Sequence, residues 1–380
     1  MTEPSTAAIG VPEGQEEEQP ALEFPLGWIL EHAAGPIAYR SAVEVVRLEG
    51  AAESLAALPF VAPTALRLAV TQSLDGTWGG RMLSVPRAHR HAVQGVGTIP
   101  AVRRLMEYGW DRETPPLVQA RRPLFRLLAA DDDPAFLYEL AGIGTGRGMA
   151  PEAVRRGRQI LREAAAAALA QAGYESDPRL RGAARRIVER IDTYLESALS
   201  EKPWVRVGNR HVLSEDAAPP SVYALAMLAH MPIFRSEHYP QMERLYAYLA
   251  QPKPAQEAVQ LYGKEVVTQP HLVMGDLLAN RNVVDHDVPF AVMWLETMAR
   301  LGFLRRNEHW LKLLERLVSD RDRAGVWHPH KGTAAPSTEN PYVWPSFPLE
   351  ERLEGEARWT DVTFRIGLIA RLLGWRIEPV

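Results

Sequence analysis

One punctuation restricts this chain more than any other: a run of helical period closes on glycine, and an aromatic side chain follows at once or one residue later. It occurs at Gly76-Thr77-Trp78, Gly109-Trp110, Gly302-Phe303, Gly325-Val326-Trp327 and Gly374-Trp375. Glycine supplies the left-handed backbone that ends a helix, and the aromatic ring brings enough apolar area to pack the turn against a neighbouring helix. A helix of this kind carries an apolar stripe that only another helix can cover, so a series of them predicts helical hairpins stacked side by side.

The intervening segments agree. Helical patterns run from Pro63 to Gln72, Thr98 to Tyr108, Leu117 to Ala130, Pro151 to Ala172, Tyr223 to Met231, Gln241 to Ala250, Ala255 to Val267, Leu272 to Ala279, Pro289 to Leu304, Asn307 to Ser319 and Thr360 to Trp375. Asp177-Pro178 has the cap and first-turn proline of another helix, whose apolar face holds Leu180, Ala184, Ile187, Ile191 and Tyr194. Only Lys202 to Leu213 reads as strand. Residues 1–22, rich in Pro, Glu, Ser and Gly, read as a disordered acidic tail, and 23–380 as one all-α domain with a glycine-rich hinge at 142–150. With 380 residues, 46% of them hydrophobic, the chain can bury a core of that size.

The stretch Gln72-Ser73-Leu74-Asp75-Gly76-Thr77-Trp78 adds a glutamine whose amide can bind exposed backbone at helix ends, which turns the bend into a clasp. Gln72, Asp75, Gly76 and Trp78 resemble the QW motif of squalene-hopene cyclases, other terpenoid cyclases and protein prenyltransferase β subunits. A weaker copy ends at Gly325-Val326-Trp327, without the glutamine. The resemblance implies an α/α toroid whose central cavity takes an apolar prenyl or polyene ligand. The chain departs from those families in two ways. It has no cysteine to supply the prenyltransferase zinc ligand, and Ala130-Asp131-Asp132-Asp133 lacks the first acid of the cyclase DxDD motif.

The densest titratable cluster is Asp285-His286-Asp287, where flanking carboxylates can raise the histidine pKa for acid catalysis; alternatively Asp287 caps the helix that starts at Pro289. The aromatic segment from Trp327 through His328, His330 and Trp344 to Trp359 is the candidate ligand-binding wall, or else a surface loop ordered by its own rings. His89 and His91 beside Arg87 and Arg90 form a small cationic cluster suited to an anion, and Gly142 to Gly148 lacks the residues of a phosphate loop.

A net charge of −4 points away from nucleic acid, and no apolar run reaches the length of a membrane span. The expected location is the cytoplasm, with no cofactor and no metal assigned. Two other functions compete with the toroid. One is a non-catalytic HEAT-like scaffold that binds a protein partner. The other is a carbohydrate-active toroid using Asp285 or Asp287 with Glu339 or Asp361.

Overall fold

The computed structural model describes residues 20–86, 93–129, 151–254, 256–262, 265–280 and 282–380. In chain order the elements are β1 (Ala21–Phe24), α1 (Leu26–His32), α2 (Gly35–Arg40) with a π-helical continuation (Ser41–Val46), α3 (Ala51–Ser54), α4 (Pro63–Val70), α5 (Thr98–Glu107), α6 (Pro115–Leu128), α7 (Pro151–Gln171) and α8 (Pro178–Glu196). There follow β2 (Trp204–Val207), β3 (Arg210–Leu213), α9 (Val222–Ala229), α10 (Pro232–Glu237), α11 (Tyr239–Leu249), β4 (Val259–Tyr262), β5 (Glu265–Thr268), α12 (Val283–His286), α13 (Val288–Arg300), α14 (Glu308–Ser319), α15 (Thr360–Leu372) and β6 (Arg376–Pro379).

The molecule is mostly helical, but the all-α expectation is corrected by two small sheets. Strands β1 and β6 pair in parallel, with Ala21 opposite Arg376 and Phe24 opposite Pro379, so the two ends of the fold are hydrogen-bonded together. Strands β2 to β5 form the other sheet in sequence order, as two antiparallel hairpins meeting at Leu213 and Gln260. Two helices expected from the sequence are absent. Residues 259–268 are strands β4 and β5, because Val259, Leu261, Val266 and Val267 favour a pleated, half-buried surface. The stretch Leu272 to Ala279 is irregular: Gly275 has φ +77° and lies so close to the Gln251 carbonyl that a Cβ there would sit 2.6 Å from its oxygen.

Helices α2, α5, α7, α9, α13 and α15 form the interior layer. Contacts run from α5 to α7, α7 to α9, α9 to α13, α13 to α15, and α15 back to α2. The step from α2 to α5 is made by Arg40, whose Nη1 donates to Glu107 Oε2 at 2.7 Å. Composition explains which helices lie inside. Every residue from Ala164 to Ala170 is buried, and so is every residue from Thr360 to Ala370, so the C-terminal part of α7 and most of α15 are covered on all sides. By contrast α8 and α14 bury one stripe and turn their charges outward.

The glycine-aromatic endings are real turns of one geometry. Gly109, Gly302 and Gly374 all have φ between +75° and +88°, and the ring residue after each donates its backbone N–H to the carbonyl five residues back. Gly173-Tyr174 at the end of α7 is a further copy, with Tyr174 N bonded to Leu169 O.

The tryptophan turns also repeat atom for atom. Ser73 N donates to Thr77 O at 2.8 Å, and Asp322 N to Val326 O at 2.8 Å. Trp78 N donates to Thr98 Oγ1 at 3.1 Å, and Trp327 N to Thr363 Oγ1 at 3.1 Å. Each turn is thus tied to an interior helix, α5 in one case and α15 in the other. The glutamine adds what the second copy lacks: Gln72 Nε2 reaches both Gly76 O and Pro116 O, fastening the turn to the start of α6.

Candidate functional site

Four of the interior helices, α5, α7, α9 and α13, border a cavity of about 390 Å³. Its wall is largely apolar, built from Ile99 and Pro100 on α5, Leu225 and Ala226 on α9, Met293 and Trp294 on α13, and the segment Pro341–Ser346. Volume and lining fall in the range of small-molecule pockets. A wider hollow of about 1330 Å³ shares Leu83, Val85 and Pro341 with the cavity, so the two adjoin there.

One end of the cavity is charged, and the sequence explains why. Along α5 the cavity face recurs at Ile99, Arg103 and Glu107, and along α13 at Met293, Glu296 and Arg300, so apolar wall gives way to charge near each helix C-terminus. Glu107 accepts from Arg40 at 2.7 Å and from Arg365 at 2.7 Å, and Arg365 also reaches Glu296 at 2.7 Å. Arg300 pairs with Glu296 at 2.9 Å, and Arg40 with Glu44 at 2.7 Å. Gln171, at the end of α7, donates to Glu107 Oε1 at 2.8 Å and accepts from Arg103 Nε at 2.9 Å. Five of the six interior helices, α2, α5, α7, α13 and α15, therefore meet in one polar knot.

Burial disfavours ionisation of Glu107, but Arg365 and Arg40 outweigh it and hold the carboxyl below its ordinary range. Glu296 is lowered in the same way, by Arg365 and Arg300 against the effect of burial. Arg103 moves down instead, because burial outweighs the attraction of Glu107.

Two histidines face the same space. His230, at the end of α9, uses Nδ1 to bond Ala226 O at 2.9 Å, which leaves Nε2 for the cavity. Burial, reinforced by Arg300, lowers its pKa to about 4. His271 is 7% exposed, lines the cavity, and is lowered to about 4, chiefly by burial. Both imidazoles are neutral near pH 7.

No family model, curated protein or solved structure matches the chain. The site is therefore read from its own chemistry.

The residues singled out from sequence divide among several places. His286 and Asp287 line the outer hollow, with Glu339 and Trp344. Asp285 turns away and pairs with Arg316, so the triplet does not converge on one centre. Asp287 caps α13 by accepting from Phe290 N at 3.0 Å, also accepts from Thr338 Oγ1 at 2.9 Å, and is raised by burial. Trp327 and Trp359 are buried against each other edge to face, with centroids 6.1 Å apart. His328 packs on Trp359 and bonds Asp322 at 3.1 Å, while His330 is exposed. None of these four borders the cavity or the outer hollow. Asp361 is enclosed, accepts the backbone N–H groups of Leu349 and Glu350, and is raised by burial to about 6. His89, His91, Asp131 to Asp133 and Gly142 to Gly148 lie outside the described residues.

Arg103, Glu107, Glu296, Arg300, His230 and His271 were not anticipated as site residues. The signal was present on α5 and α13, where charged residues interrupt an apolar stripe. It could not be separated from a solvated helix face without the neighbouring helices.

Among the described residues no single helix is long and apolar enough to cross a membrane.

Proposed function

We propose that this chain is an α/α toroid of the terpenoid cyclase and prenyltransferase type, and that its central cavity receives an apolar small molecule such as a prenyl or polyene chain. The observation that carries the reading is the cavity itself, apolar along its wall and closed at one end by an ion-paired knot of Glu107, Glu296, Arg40 and Arg365. Ring closure is supported by the parallel pairing of β1 with β6 and by the succession of interior-helix contacts that returns to α2. Two of the five Gly-x-Trp or Gly-aromatic turns, at Trp78 and Trp327, fasten to interior helices through threonine hydroxyls.

The reading assigns binding and leaves turnover unassigned. Its test is calorimetric titration of the full chain with isoprenoid and straight-chain alcohols, beside the Ala226→Phe variant, which fills the cavity from α9. Saturable binding that this variant loses supports the reading. Absence of binding by every alcohol, or binding indifferent to Ala226→Phe, overturns it.

A further inference from the structure

We propose that the occupant of the cavity is a monoanion, an apolar molecule ending in a single carboxylate, with that carboxylate against Arg103 and its chain along α9 and α13. The inference rests on the cavity being a ligand site, as proposed above, and adds the charge of what enters it.

At the closed end of the cavity one guanidinium holds no carboxylate. Four guanidinium groups, Arg40, Arg103, Arg300 and Arg365, stand with three carboxylates, Glu44, Glu107 and Glu296. Arg40, Arg300 and Arg365 each hold at least one carboxylate at 2.7–2.9 Å. Arg103 makes one hydrogen bond, from Nε to the neutral amide oxygen of Gln171, and borders the cavity. The two histidines bring no positive charge there near pH 7. Arg103 is thus the guanidinium at this end that borders the cavity and holds no carboxylate.

A half-buried guanidinium that makes no ion pair gains from a negative charge of a size that fits beside it, so Arg103 marks the place for one carboxylate. A carboxylate matches the planar guanidinium in shape as well as charge. A diphosphate fits less well, since its further negative charge would face Glu107 and Glu296, which border the same end. The apolar wall formed by Ile99, Leu225, Ala226 and Met293 then takes the remainder of the molecule.

The test compares geraniol, geranate and geranyl diphosphate, which share one hydrocarbon chain and differ in the charge of the head, by calorimetric titration of the full chain. Geranate is expected to bind at least about tenfold more tightly than geraniol, the effect of a charge-assisted hydrogen bond in an enclosed site. Arg103→Gln should abolish that preference, while Arg103→Lys, which keeps the charge, should retain a preference for geranate. Thermal unfolding of each variant reports folding, and Arg103→Gln is expected to unfold no earlier than the parent because it removes an uncompensated charge. Three results overturn the proposal: geraniol binding as tightly as geranate, the diphosphate binding more tightly than geranate, or Arg103→Gln keeping the preference. Where geraniol binds and geranate gains nothing, the charge inference fails alone. Where no ligand of any head binds, the cavity reading fails with it.

Discussion

Arg365 on α15 donates through Nη2 to Glu107 Oε2 on α5 at 2.7 Å, joining positions 258 residues apart in the chain. The same guanidinium holds Glu296 on α13 through Nη1 at 2.7 Å. One side chain therefore ties the last interior helix to two others, at the point where the apolar cavity ends.

Removing the acid at the centre of that knot leaves Arg365 and Arg40 buried with less compensation. Glu107→Gln is expected to lower unfolding free energy by about 3–5 kcal/mol, the usual consequence of breaking a buried pair from one side. Urea unfolding of the variant and parent measures it. A loss below about 1 kcal/mol would show that water or relaxation replaces the lost charge.

The two tryptophan turns should respond unequally to the same substitution. At Gly76, with φ +83°, an added Cβ would lie 2.4 Å from Gln119 O; at Gly325, with φ +81°, its nearest neighbour is Glu23 O at 3.3 Å. Gly76→Ala is expected to cost about 3 kcal/mol or more and Gly325→Ala about 1–2, since both carry backbone strain and only the first forces α6 to move. Gly50→Ala, at φ +72° with no atom within 4 Å, isolates the backbone part. Equal losses at Gly76 and Gly325 would mean that α6 yields freely.

Acid should weaken the fold before Glu107 and Glu296 are protonated. His230 and His271 have pKa values lowered to about 4 against an unfolded value of 6.5, so the unfolded chain binds more protons between those limits. Stability then falls as pH drops from 6.5 towards 4, by roughly 3 kcal/mol for each histidine. Asp361 acts in the opposite sense. Its pKa, raised to about 6 from 3.8, makes the folded state the better proton acceptor in that window. Unfolding free energies at pH 7, 5.5 and 4.5 should show a net decline in the parent and no decline, or the small rise that Asp361 contributes, in the His230→Gln, His271→Gln double variant. An unchanged slope in the double variant would place the titrating groups elsewhere.

Arg104 pins the wall segment that closes the cavity on its outer side. It is fully buried, donates to Trp344 O and Pro348 O, and stacks over the Trp344 ring at 4.6 Å from the centroid. Arg104→Met keeps most of the volume and loses these bonds. Amide hydrogen exchange in residues 341–348 is expected to accelerate by tenfold or more, at about 1.4 kcal/mol per decade of opening, with exchange in α7 unaffected. Unaltered protection in 341–348 would assign its order to the aromatic packing alone.

Much of the secondary structure was legible in the chain because its signals are local. The apolar period, the caps at Asp177 and Asp287, and the glycines before Trp110, Phe303 and Trp375 each act within one or two turns of a helix. Strands β4 and β5 were missed because their four-residue alternation is too short to compete with a helical period. Trp327 and Trp359 drew attention as ring faces for a ligand, yet they bury each other.

By itself the sequence determined that helices of this length, ending in glycine and an aromatic ring, would have to cover one another's apolar stripes. Which helices lie inside, and which charges face the cavity, was decided only by the tertiary structure. Arg103 and Arg365 look the same in sequence as the arginines on the outer helices. The burial of Arg365, and its contacts with Glu107 and Glu296, arise only when elements 258 and 69 residues apart are packed together.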